Sequence, residues 1–254
     1  MNSANHNTTP KITVVIPVYS CSDALHELVQ RLFQLNASYS LTLNVILVDD
    51  GSPEKIWNDL KNIKKKYSQQ SILLIKLAEN YGQPAATLCG IKHACGDYIV
   101  TMDADLQHSP EDIPLLLNKL INENLDVVYA QATEWQNSFR RYSSIIYRIL
   151  LHPLGTPFIK GSSFRVINKK FLDTAIANNK RPFYFIDTLL KDSSKLIGSI
   201  PVNYTKGVYS KSSYSTSKLI KEAWRNISYS FIGFRIYFNL KKTRYPEYKI
   251  KEII

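Results

Sequence analysis

The chain has 254 residues, 44% of them hydrophobic and 21% charged, which suits a globular α/β chain and excludes a disordered one. A formal net charge of +11 asks for an anionic partner, a nucleic acid or a membrane surface. Cys21, Cys89 and Cys95 form no paired framework and read as thiols of a reducing compartment. The opening "MNSANHNTTPK" lacks the apolar core of a signal peptide, and no apolar run has the length of a bilayer span.

"KITVVIPVYS" (11–20) is a β-branched run ended by Pro17, the pattern of a buried strand. "SDALHELVQRLFQL" follows, with Ser22 as its expected N-cap and Leu25, Leu28, Leu32 and Leu35 at helical spacing. "LNVILVDDGS" is a second strand, "EKIWNDLKNIKKKY" an amphipathic helix and "SILLIKLAEN" a third strand. The run "GQPAATLCGIKHACG" reads as a helix bounded by glycines, "DYIVTMDAD" as a fourth strand, "SPEDIPLLLNKLINEN" as a helix with Pro110 near its start, and "LDVVYAQATE" as a fifth strand. Beyond it, "NSFRRYSSIIYRILLHPLG" is expected to be helical, "KGSSFRVINKKFLDTAI" a strand entering a helix, "RPFYFIDTLLKDSSKL" a helix, and "IGSIPVNYTKG" a strand. "SKLIKEAWRNISYSFIGFRIYF" reads as one or two amphipathic helices. The domain plan is a disordered start over 1–10, an α/β domain over 11–205, and a basic amphipathic segment over 206–254.

Strands that alternate with helices and are apolar almost throughout belong to a mostly parallel sheet covered on both faces. Ligands of such sheets sit beyond the carboxyl ends of the strands. Three strands finish in "PVYS", "DDGS" and "DAD", so three polar clusters should face one crevice. Asp103 and Asp105 lie two apart, and an extended chain would aim both at one hard cation. Magnesium or manganese accepts such carboxylates and completes its shell with water and phosphate oxygens. The competing role for these acids is local: Asp50 or Ser52 could cap one helix, and Ser109 the next. The turn after the first strand has no glycine, and no glycine-rich loop ends in Lys-Ser or Lys-Thr. Dinucleotide-binding and P-loop chemistry are thereby disfavoured. A nucleotidyltransferase would carry a glycine-rich loop near its start, and a nucleic-acid binder would leave the acids unexplained.

"VVIPVYS", "ILVDDGSPEK", "LAENYGQPAATLCGIKHACGDYIVTMDADLQHSPEDIP" and "DVVYAQ", in this order, resemble the family 2 glycosyltransferases of the GT-A fold over about residues 11–135. Among these the chain is most similar to the polyprenyl-phosphate sugar synthases. The resemblance implies a Rossmann-like, mostly parallel sheet and a nucleoside-diphosphate sugar as donor, with uridine, thymidine or guanosine as its base. It implies a divalent metal, Mg2+ or Mn2+. Carried over, Pro17, Tyr19 and Asp49 would line the base and ribose pocket, with Asp50 beside them. Gly82 and Ala85 would let a loop approach the nucleotide. Asp103 would hold the ribose or belong to the metal shell, Asp105 would ligate the metal, and Gln107 would neighbour it.

The acceptor stays open at this level. A polyprenyl phosphate is ionised and needs positive charge, for which Arg140, Arg141 and Arg165 are the candidates. A sugar hydroxyl on a growing glycan needs a general base, for which Asp187 in "YFIDTLL" is the candidate. From Lys206 onward 11 Lys/Arg face Glu222, Glu247 and Glu252. With Trp224, Tyr229, Phe231, Phe234, Tyr237 and Phe238 among them, this segment is expected to lie on anionic lipid at the cytoplasmic face. A second copy of the chain is a further candidate partner.

Overall fold

The structure, a computed structural model, describes residues 9–20, 24–39, 41–132, 162–179, 186–203 and 248–254. Ser22, Arg140, Arg141, the helix expected around 137–155 and the basic stretch 204–247 lie outside the described residues. Eight strands form one sheet among them: β1 (Lys11–Val18), β2 (Thr42–Asp49), β3 (Ser71–Leu77), β4 (Tyr98–Thr101), β5 (Val127–Ala132), β6 (Arg165–Asn168), β7 (Ile197–Val202) and β8 (Ile250–Ile253). The helices are α1 (Leu25–Tyr39), α2 (Glu54–Lys66), α3 (Gln83–Lys92), α4 (Ile113–Asn122), α5 (Lys169–Asn178) and α6 (Ile186–Ser193).

Strand order is β7-β5-β6-β4-β1-β2-β3-β8. The β1–β2, β1–β4, β2–β3 and β5–β7 pairs are parallel, whereas β6 and β8 run against their neighbours. The carboxyl ends of β1 to β5 and of β7 therefore share one end of the sheet, as the sequence requires. Alternation along the strands divides the core. Ile12, Val14, Ile16 and Val18 pack with residues of α1, α2 and α4, while Val15, Ile46 and Val48 pack with residues of α3, α5 and α6. Each face is thus sealed by its own helices. Helix α3 lies especially close, because a Cβ on Gly90 would sit 2.3 Å from Val15 Cγ1.

Four expectations need correction. The fourth strand stops at Thr101 instead of running through Asp105, because its ladder with β6 ends at the Thr101–Arg165 pair. Helix α2 has Pro53 at its N-cap with no side-chain cap, and Ser109 does not cap either, since its hydroxyl is engaged with Arg31 and Glu111. Pro10, placed by the sequence reading in a disordered start, accepts the Thr42 amide (3.1 Å). The last residues, assigned with the basic segment, form edge strand β8 along β3. There Glu252 accepts the indole N–H of the fully buried Trp57 (3.0 Å). No helix among the described residues is long and apolar enough to cross a membrane.

Candidate active site

At the carboxyl end of β1, Pro17 is half-buried and the Tyr19 ring is 49% exposed. Ser20, in the left-handed region at φ 52°, donates its amide to Ser52 Oγ (3.0 Å), which ties the β1 loop to the β2 loop. Asp49 is fully buried; its Oδ1 accepts the Ser52 amide (3.0 Å), and its Oδ2 meets no donor among the described residues. Asp50, also buried, accepts the amides of Tyr81 (2.8 Å) and Gly82 (2.9 Å) through separate oxygens. Gly51 between the tied loops has φ +69°, and a Cβ there would strike the Glu79 carbonyl carbon at 2.3 Å. Only glycine lets the 79–82 loop press so near. Asp49 and Asp50 therefore brace the loops, and both carboxyls are buried. Ala85 is likewise turned inward, and Gly82 adopts φ +92° ahead of α3.

Beyond β4 the chain turns. Asp103 is held on both oxygens, by Gln83 Nε2 on Oδ1 (2.6 Å) and by Ser163 Oγ on Oδ2. Asp105 Oδ1 accepts the Gln107 amide (3.1 Å), and Leu106 between them sits at φ 57°. Asp103 thus joins three loops, while Asp105 keeps Oδ2 outside the hydrogen bonds found among the described residues. His108 is buried, bonded through Nε2 to Ser162 Oγ (2.9 Å), and packed at a tilt against the Phe164 ring. Burial holds its pKa below the ordinary histidine value, which leaves it a neutral wall beside the acids.

Arg165 and Asp187, expected as rival acceptor-side groups, are one pair. Arg165 Nη1 bridges to Asp187 Oδ1, its Nε donates to Thr101 Oγ1 (2.9 Å), and its guanidinium lies 5.7 Å from the Tyr129 ring centre. The Tyr129 hydroxyl donates to the same Asp187 oxygen (2.9 Å). Arg165 is 4% exposed, with its guanidinium engaged by Asp187 and Thr101. The Asp187 side chain remains 40% exposed.

Burial pushes the carboxyls of Asp49, Asp50, Asp103 and Asp105 above the usual range, and Asp103 raises Asp105 further by like charge. Arg165 works in the opposite sense on Asp103. Crowded carboxyls with one oxygen to spare suit a hard divalent cation, whose charge would favour their ionised forms. No group of three His, Cys, Asp or Glu side chains among the described residues could hold a metal. Asp105, with one oxygen outside these hydrogen bonds, fits an ion that takes one or two carboxylates and fills its shell with phosphate oxygens and water.

Sequence reasoning missed Gln83, Ser163, Thr101 and Tyr129. Of these, Gln83 stands next to the glycine of "NYGQP" and could have been suspected. Tyr129 and Thr101 carry no local signal, since only the β5–β6–β4 register brings both beside Arg165.

An undecaprenyl-phosphate 4-deoxy-4-formamido-L-arabinose transferase from Salmonella choleraesuis is 34% identical over 216 residues, covering 83% of this chain. The same figures hold for its counterpart from Salmonella paratyphi B. The chain spans 64% of the length of these curated relatives. Among solved structures, a mannosyltransferase from Pyrobaculum calidifontis in complex with GDP-Man and Mn2+ superposes with a TM-score of 0.60 at 16% identity, covering 93% of this chain and 66% of that one. A glucosyl-3-phosphoglycerate synthase from Mycobacterium tuberculosis, in complex with Mn2+, UDP-Glc and phosphoglyceric acid, gives 0.60 at 16% identity over 88% of this chain and 79% of that one. These likenesses establish the GT-A fold. With residues 13–179 matching the family described as Glycosyl transferase family 2, and with relatives above 30% identity over most of its length, the chain belongs to glycosyl transferase family 2.

Proposed function

We propose that this protein moves a sugar from a nucleoside-diphosphate sugar to a polyprenyl phosphate at an anionic membrane surface, with inversion at the anomeric carbon. The observation that carries the reading is that the half-exposed Asp105 and the exposed Tyr19 follow the neighbouring parallel strands β4 and β1 at their shared carboxyl end. In this reading Tyr19 and Pro17 receive the base, and Asp103 keeps the loops after β3 and β4 and before β6 in register. Asp105, with Asp103 and Gln107 beside it, holds magnesium or manganese. Bound there, the metal would supply Lewis-acid stabilisation of the departing diphosphate. The acceptor oxygen attacks the anomeric carbon from the opposite face as the bond to the diphosphate breaks. A phosphate oxygen is already ionised and needs no base.

Two observations support the lipid-phosphate acceptor. The matched relatives are undecaprenyl-phosphate transferases by name. The positive charge is also segregated. The stretches 133–161 and 204–247 hold 13 Lys/Arg against Glu134, Glu222 and Glu247, nearly the whole surplus of +11. Their described flanks, Ala132 and Ser162, Val202 and Lys249, all lie at the crevice end of the sheet. Basic stretches whose flanks lie at the crevice end of the sheet suit an anionic acceptor on an anionic surface.

A second reading, transfer to a sugar hydroxyl with Asp187 as general base, is favoured by the exposure of Asp187 and its fixed orientation. A panel of uridine, thymidine and guanosine diphosphate sugars, followed by thermal unfolding with and without manganese, tests the donor site. One base should raise the melting temperature in a manganese-dependent way, because a ligand that binds only the folded state stabilises it. Transfer from that donor should then proceed to undecaprenyl phosphate. Indifference to every nucleotide sugar, with or without manganese, would sink the donor assignment. Transfer only to a glycan, with a loss of roughly 10²–10⁴-fold in Asp187→Asn, would establish the second reading.

A further inference from the structure

We infer that Tyr129 is a positioning residue for Asp187, and that the pair Tyr129–Arg165 fixes which carboxylate oxygen meets the substrate. The inference rests on the transfer reading above. Asp187 stands in the first turn of α6, at the start of an eight-residue helix. A side chain there is poorly constrained by its own backbone. Its orientation comes from the sheet, where Tyr129 on β5 and Arg165 on β6 are directly paired, and Arg165 is directly paired with Thr101 on β4. These three residues cross the sheet at one level beside the crevice.

Both donors converge on a single atom. Arg165 Nη1 and the Tyr129 hydroxyl bind Asp187 Oδ1, and Arg165 is itself held by Thr101. Charge neutralisation needs only the guanidinium. A second donor on the same oxygen removes the rotation that a lone ion pair would allow, and leaves Oδ2 as the oxygen that neither donor holds, on a side chain 40% exposed. Tyr129 is 1% exposed, and burial raises its pKa, so the phenol stays protonated and always donates. Oδ2 is then the atom available to a hydroxyl of the donor sugar. A small misplacement of such a group costs on the order of 100-fold in rate.

Tyr129→Phe keeps the ring on which Arg165 stacks and removes only the hydroxyl. Transfer to undecaprenyl phosphate would be measured for wild type, Tyr129→Phe, Asp187→Asn and the double variant, with the donor chosen by the nucleotide-sugar panel. Tyr129→Phe should lower kcat on the order of 10- to 100-fold while leaving the donor KM near wild type. In the Asp187→Asn background it should cost nothing more, because its effect passes through Asp187. An equal loss in both backgrounds, or wild-type kcat in either single variant, would overturn the inference while leaving the transfer reading intact. Wild-type protein inactive with every donor would overturn that reading and this inference with it. Should Tyr129→Phe lose cooperative melting, Asp187→Glu serves instead. It keeps the charge and shifts the oxygens, so it must give the same kcat-selective loss, and an undiminished kcat would refute the positioning role.

Discussion

Two aspartates two residues apart have come to do different work. Asp103 spends both oxygens on Gln83 and Ser163, and Asp105 spends one on its own turn. The sequence showed that both acids end a strand. It could not show that one of them would be saturated, because Gln83 and Ser163 arrive from distant loops. Asp105→Asn should therefore act on the metal more than on the fold. The variant should lose the manganese-dependent part of the nucleotide-sugar thermal shift and its transfer activity. Its melting temperature without ligand should not fall, since the like charge of Asp103 no longer opposes it. Near-wild-type turnover at saturating manganese would remove Asp105 from the metal site. The same scale applies to Asp49 and Asp50. A fixed "DDGS" turn needs acceptors for its amides, and these carboxylates supply them, while Asp49 Oδ2 keeps no donor among the described residues.

Helix α3 is the element that sets the crevice geometry. Its first turn carries Gln83, and its body is pressed into the sheet at Gly90. Gly90→Ala tests how closely helix and sheet must approach. Alanine would favour the helix by up to about 1 kcal/mol. Its Cβ would meet Val15 Cγ1 at 2.3 Å and Val48 Cγ2 at 3.1 Å, and overpacking typically costs about 1–3 kcal/mol. The clash should win, and the midpoint of denaturant unfolding should fall. An unchanged or higher midpoint would mean that α3 has room to move away. The edge strand β8 shows the other limit of element-level reading. "KIKEII" is three charges and three isoleucines in no clear pattern, yet it completes the sheet because β3 offers an unpaired edge and Trp57 an unpaired N–H.

Charge belongs to the whole molecule. The described residues hold 17 Lys/Arg and 17 Asp/Glu, so the sheet and its helices are neutral while the chain carries +11. Each basic residue near an anionic bilayer is worth about 1 kcal/mol before screening. A handful acting together suffices for reversible association. The protein should pellet with anionic vesicles and not with neutral ones, and added salt should release it. Replacing Lys218, Lys221 and Arg225 by glutamine should weaken pelleting without disturbing nucleotide-sugar binding. Truncation is the poorer test, because any cut in this stretch also removes β8. Equal recovery with both vesicle types, or none with either, would refute the membrane contact.

By itself the sequence determined the order of strands and helices, the parallel core and the end of the sheet where the polar groups gather. Those features rest on periodicity and on strand-ending polar runs, which are local and repeat along the chain. The motif order was enough to indicate the family. Tertiary structure alone decided which groups touch. Arg165 and Asp187, read as rivals, close on each other because β6 lies between β4 and β5, an order that no local pattern encodes. Tyr129 became relevant through that register, and β8 through a vacant edge. A hydrogen bond is satisfied in space, between partners as far apart in sequence as Trp57 and Glu252, so the folded chain alone reveals which polar groups have been used and which remain for a ligand.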